Sequence, residues 1–140
     1  MIESRESNSA YWALRITFGL IPLFAGLDKF THFLTDWNQY LNPANLRIVP
    51  VTANSFMQIV GVVEVIVGLG ILFGATRVFG YIAMLWLLGI AVNLITLGRF
   101  YDVAVRDIGL AVGAFTLARL TEARESVVIL TETDEYRRAA

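Results

Sequence analysis

Hydrophobic residues in this chain fall into four long runs, at about 11–33, 55–75, 78–98 and 102–120, separated by short polar breaks. A membrane-crossing helix needs about 20 mostly apolar residues at 1.5 Å rise each, and every run comes close to that length. The pattern predicts an all-α chain, a four-transmembrane-helix antiparallel bundle. Residues 1–140 form a single membrane domain in this reading, with 121–140 as a solvated cytoplasmic tail. The break at Thr76 and Arg77 is so short that it makes the second and third spans antiparallel neighbours. After the first span, Phe30, Phe33, Leu34, Trp37 and Leu41 recur at helical spacing until Pro43 and Pro50 stop it. This predicts that the first helix extends along the outer interface, with Trp37 and Tyr40 as belt residues, before an irregular cap. Ser55 followed by Gln58 has the form of a capping box opening the second span.

Composition agrees: the chain is 56% hydrophobic and only 16% charged, with a mean hydropathy of +0.63, and no length is left for a second soluble domain. A net charge of -1 and the lack of any basic run exclude nucleic acid as a partner. With no cysteine and a single histidine, His32, the chain by itself excludes a thiolate metal site, an iron–sulfur cluster, a dithiol relay and two-histidine haem ligation. No metal is expected. The polar start of the chain is unlike a cleaved signal, so the first span should be retained. Arg5, Arg15, Arg77, Arg119, Arg124, Arg137 and Arg138 fall on one side of the four-span arrangement, and Lys29, Arg47, Arg99 and Arg106 on the other. The positive-inside rule then places both termini in the cytoplasm.

Ionisable residues inside a span cost a few kcal/mol on insertion scales, so they face the bundle interior, pair with one another and mark function. Glu64 sits near the middle of its span and shares a face with Gly61 and Gly68. That face should enter a helix interface, where either a cation meets Glu64 or the carboxyl stays protonated. Arg15, Gly19, Pro22, Gly26 and Lys29 form one stripe of the first span. Asp28, about 100° round the helix, does not pair with Lys29 and turns toward His32. Trp86, Gly89 and Asn93 share a face of the third span. In the fourth, Asp102 and Arg106 are spaced as an i,i+4 pair on a face with Gly109 and Gly113, beside a second face of Asp107, Ala111, Ala114 and Ala118. Both faces read as packed against protein. Stacked by depth, Asp28, Lys29, Asn93, Arg106 and Asp107 make one outer layer with Glu64 beneath, a polar pocket opening outward. Arg15 lies apart, where carbonyls or headgroups would satisfy it.

Arg15-x-x-x-Gly19, the run Ala25-Gly26-Leu27-Asp28-Lys29-Phe30, Glu64-x-x-x-Gly68, Gly74-x-Thr76-Arg77 and Arg106-Asp107 occur in that order. In this the chain resembles the DoxX family of small four-helix membrane proteins, from residue 11 to residue 120. The resemblance implies a prokaryotic cytoplasmic (inner) membrane and an association with quinone-linked redox systems. It supports Lys29, Glu64 and Arg106 as interior polar positions without giving them a catalytic role. The leading expectation is an accessory or anchoring subunit of a membrane redox system. Its ligand-binding candidates are Asp28, Lys29, Glu64, Asn93, Arg106 and Asp107, a pocket for either a quinone headgroup or a small polar ligand, with no cofactor of the chain's own. Lys29 or Arg106 would donate to a ligand oxygen while Glu64 or Asp107 exchanged protons with it. The expected partners are the lipid bilayer and either other membrane subunits or further copies of this chain. Two rivals stand beside this: a small homo-oligomeric transporter or proton-coupled carrier, and a purely structural assembly subunit.

Overall fold

A computed structural model of the chain describes residues 5–139. Residues 1–4, part of the polar N-terminal stretch, and Ala140 lie outside the described residues. Four long helices make up most of it: α1 (Arg5–Thr31), α3 (Ala53–Phe73), α4 (Thr76–Leu97) and α5 (Tyr101–Ala139). A 3₁₀ turn at Trp37–Tyr40 and the one-turn α2 (Asn45–Ile48) lie in the connection between α1 and α3.

The closest packing is within two antiparallel pairs, α1 with α3 and α4 with α5. Small residues make both pairs possible. A side-chain carbon at Gly26 would stand 2.5 Å from the Gly61 carbonyl oxygen, one at Gly61 would stand 2.6 Å from that of Gly26, and one at Gly68 would stand 2.6 Å from that of Gly19. Backbone therefore touches backbone along α1 and α3, as small residues permit in lipid. On the other pair, α5 buries Ala104, Ala111, Ala114 and Ala118, and Gly80 of α4 comes against Ala118. A core of Tyr11, Phe18, Val67, Ile71, Ala83, Ala114 and Leu117 joins the two pairs.

Helices α1, α3 and α4 are long and apolar enough to cross a membrane. The chain is a multi-pass membrane protein. α5 is not in that set, because Asp102, Arg106, Asp107 and Arg119 interrupt its apolar stretch.

Three expectations about the elements need correction. The first helix does not extend past Thr31. His32 adopts a left-handed φ of 53°, and the chain folds back because the Asp28 carboxylate takes the amides that follow. The second span is capped by Thr52, whose hydroxyl accepts from the Ser55 amide at 3.2 Å, not by a Ser55–Gln58 box. The stretch 121–139, expected as a solvated tail, is mostly exposed and continues α5 as helix, since no Gly or Pro interrupts it. Of the two α5 faces only one is packed along its length; on the other, Gly113 alone comes against protein, at the Phe18 ring. Asp107 and the alanines are buried, while Asp102, Arg106 and Gly109 face outward. The short α3–α4 connection does make those two helices antiparallel neighbours.

Candidate functional site

Close approach of α1 and α3 at Gly26 and Gly61 sets the main polar feature. One turn beyond those glycines, Lys29 of α1 meets Glu64 of α3, with Nζ 2.5 Å from Oε2. Both side chains are buried, at 4% and 9% exposure. The cationic partner expected for Glu64 is therefore Lys29. The ammonium also lies 3.8 Å from the centre of the Trp37 ring, so an aromatic face closes its outer side. A buried pair of this kind holds only while both partners are present, because either charge alone in a low-dielectric interior is costly.

From the second helix pair, Trp86 of α4 and Asp107 of α5 approach closely enough to act electrostatically on Glu64. The Trp86 Nε1 atom is buried and forms no hydrogen bond of good geometry. A cavity of about 50 Å³ lies beside Glu64, walled by Phe18, Pro22, Val67, Trp86 and Leu110. Ligand pockets run to several hundred Å³. This cavity is a seam between the two helix pairs.

Asp28 does not join that pair. Its carboxylate accepts from the Thr31 hydroxyl at 2.9 Å, the Phe33 amide at 2.9 Å, the Leu34 amide at 3.0 Å and the Trp37 indole Nε1 at 2.8 Å. It thus ends α1 and places the Trp37 ring over Lys29. As expected, Asp28 and Lys29 do not pair with each other. Asp28 does not turn to His32 either, whose Nε2 lies 3.1 Å from Asn54 Oδ1.

Asn93 organises the loop above α4 and α5. Its Oδ1 accepts from the Asn42 amide at 3.1 Å and Asn45 Nδ2 at 2.7 Å, and its Nδ2 donates to the Tyr40 carbonyl at 2.7 Å. Tyr40 is packed on Phe100 with ring centres 4.7 Å apart. Asn93→Ala leaves three groups without their partner and is expected to cost about 1–3 kcal/mol. Limited proteolysis between residues 35 and 52 should accelerate while the helices stay protected. Unchanged cleavage would mean that Asn93 does not hold the loop.

Arg106 does not pair with Asp102. Its Nε and Nη2 donate to the neighbouring Asp107 Oδ1 at 3.0 and 2.9 Å, with the Arg106 side chain outside and that of Asp107 buried. Arg15, set apart in the sequence, donates to the Ile71 carbonyl at 3.0 Å and the Leu72 carbonyl at 2.9 Å. The Thr76 hydroxyl bonds Ile71 as well, at 2.9 Å. Together they satisfy carbonyls that the end of α3 leaves open.

The six candidates thus form separate sets. Lys29 and Glu64 pair directly, Asp107 approaches Glu64 from the other side carrying Arg106, and Asp28 and Asn93 each hold loop backbone. Trp37, read as a belt residue, belongs to the site through both its ring and its N–H. No periodicity announces that role.

The family model that matches this sequence is the methylamine utilisation protein MauE, over residues 7–106. The chain belongs to the MauE family. The resemblance to the DoxX family is thereby corrected: its motifs are small residues and lone charges at helix-interface spacing, which compact membrane bundles of different families share. The MauE match takes in α1 to α4 and the first turns of α5, and with them Lys29, Trp37, Glu64, Asn93 and Arg106. It stops one residue short of Asp107. No curated protein matches the chain significantly, and no solved structure does.

Proposed function

We propose that this MauE-family chain is an accessory subunit of a membrane redox system that serves methylamine utilisation, holding a partner that performs the chemistry. All four long helices cross the cytoplasmic membrane of a prokaryote in this reading. Both termini, and the part of α5 beyond about residue 120, lie on the cytoplasmic side, as the distribution of arginine and lysine favours.

One observation carries the proposal: the interior ionisable groups, and Asn93 with them, are engaged within the chain. Glu64 is bound by Lys29, Asp107 by Arg106, Asp28 by the loop after α1 and Asn93 by the loop above α4. Such an interior fixes helix register and presents a defined surface. The sequence brings no thiol to the reaction. Quinone, the cofactor such a system would use, would be exchanged at the surface shared with the partner. Inside the bundle Lys29 and Arg106 are already engaged, and the cavity beside Glu64 is about 50 Å³.

Deletion in the native host, with growth on methylamine as the only nitrogen source, tests this reading. Growth on methylamine should fail while growth on ammonium persists, and the wild-type chain should restore it. A deletion strain that grows normally on methylamine sinks the proposal. Isolation from native membranes in mild detergent should bring down a redox protein, and extraction of the isolate should show whether quinone accompanies it.

A further inference from the structure

A second hollow, larger than the one beside Glu64, lies on the outside of the bundle where α1 ends. It is an open groove of about 530 Å³, lined by Phe24, Leu27, Asp28, Thr31, Phe33 and Leu34, within the about 300–1,000 Å³ typical of ligand sites. One wall is made by the reversal of the chain. His32 takes a left-handed φ of 53°, a conformation that costs a non-glycine residue energy. The Asp28 carboxylate then holds the Phe33 and Leu34 amides at 2.9 and 3.0 Å. Phe33 and Leu34 are thereby fixed in place with 88% and 64% of their surface uncovered.

Three observations say what covers this groove. It continues a lipid-facing surface: Ile16, Leu20, Phe24 and Leu27 recur in steps of four, four and three along α1 and are all exposed, on a helix long and apolar enough to cross a membrane. That stripe ends in the groove, with Leu27 and Phe24 about 6 and 10 Å below the last residue of α1 at 1.5 Å per residue. The stripe is also bulky. Helices of this chain approach one another at glycine and alanine, as small residues permit in lipid, and a line of Ile, Leu and Phe keeps another backbone away. Finally, the lining offers little to a polar ligand. Asp28, its one charged side chain, already accepts from Thr31, Phe33, Leu34 and Trp37, and Thr31 spends its hydroxyl proton on that carboxylate. A chain of methylene groups suits such walls.

We infer that this groove binds one acyl chain of a phospholipid, taken from the leaflet at the end of α1 farther from its N-terminus. The acyl chain lies along the stripe against Phe24 and Leu27 and is clasped by Phe33 and Leu34, with the headgroup level with the reversal at His32. Asp28 builds the site through its bonds to the two amides. The same carboxylate holds the Trp37 indole over Lys29, so the lipid rests on the segment that closes the buried ion pair.

Proteoliposomes of phosphatidylethanolamine and phosphatidylglycerol, doped with phosphatidylcholine carrying a diazirine on one acyl chain, test this. After illumination and peptide mapping, labelling should concentrate on residues 24–34 and stay low at Ile66, Leu85 and Val112, which are also exposed. Leu27→Trp fills the groove from a half-exposed position and should abolish the excess, while Leu85→Trp should leave it. Asp28→Ala, which frees the two amides, should reduce it by loosening the wall. Native mass spectrometry from mild detergent should show one phospholipid retained by the wild type and none by Leu27→Trp. Both tryptophan variants should unfold like the wild type, so that a lost lipid is not a lost fold. Labelling spread evenly over the exposed faces overturns the inference, as does an excess that survives Leu27→Trp. So does retention of a quinone in place of phospholipid.

Discussion

Lys29→Met should cost about 3–5 kcal/mol of stability, the usual result of stripping one partner from a buried ion pair. The cause is less the lost attraction than the Glu64 carboxylate left behind. That group is 7% exposed, lies among Phe18, Val67 and Leu110 around an apolar seam, and has the Asp107 charge nearby. Removing both charges at once behaves differently, because well-packed apolar replacements of a buried pair are often neutral or stabilising. Lys29→Met with Glu64→Leu should therefore recover most of the loss. Equilibrium unfolding in mixed micelles, followed by tryptophan fluorescence, measures each variant, and the double variant turns the measurement into a cycle. A single-variant loss below about 1 kcal/mol would mean that water or lipid headgroups reach the pair. The double variant also separates structure from function. If it is stable and restores growth on methylamine, the pair serves only the fold; if it is stable and does not, the charges act on a partner.

The elements that sequence reasoning placed well share one property, a repeating spacing with a cost attached. Gly61, Glu64 and Gly68 recur on one face of α3, and a lone carboxylate there demands a partner. Gly19, Gly26 and Lys29 recur on α1, and the two lines meet. Asp107, Ala111, Ala114 and Ala118 likewise mark the buried face of α5. What escaped was local and aperiodic. Asp28 binds two successive amides and an indole nine residues on, and only the reversal of the chain at His32 brings them there. Asn93 read as a pocket amide because nothing in the spacing says that residues 40–45 fold over it. Arg106 chose Asp107 over Asp102 through side-chain geometry that i,i+4 counting does not contain. The helical state of residues 121–139 was available, since that stretch has no breaker, but its mixed charge drew attention to solvent instead.

Gly61→Ala should be as damaging as many larger substitutions, with a loss near the upper end of the roughly 1–3 kcal/mol typical of overpacking. The added carbon would stand 2.6 Å from the Gly26 carbonyl oxygen and 3.1 Å from Lys29 Cβ. A side chain can rotate away from such a contact, but a carbonyl in the middle of a helix cannot, so α1 and α3 must move apart. That motion also lengthens the Lys29–Glu64 contact one turn away. Part of the loss should therefore disappear when Gly61→Ala is made in the Lys29→Met, Glu64→Leu background, where no ion pair is left to stretch. Gly89→Ala is the matching control, since nothing lies within 4 Å of the carbon it adds. Alanine is the better helix former by about 0.5–1 kcal/mol, so this change should be neutral or stabilising. If Gly61→Ala behaved like Gly89→Ala in the same unfolding measurement, the backbone contact between α1 and α3 would not be what sets the distance across the ion pair.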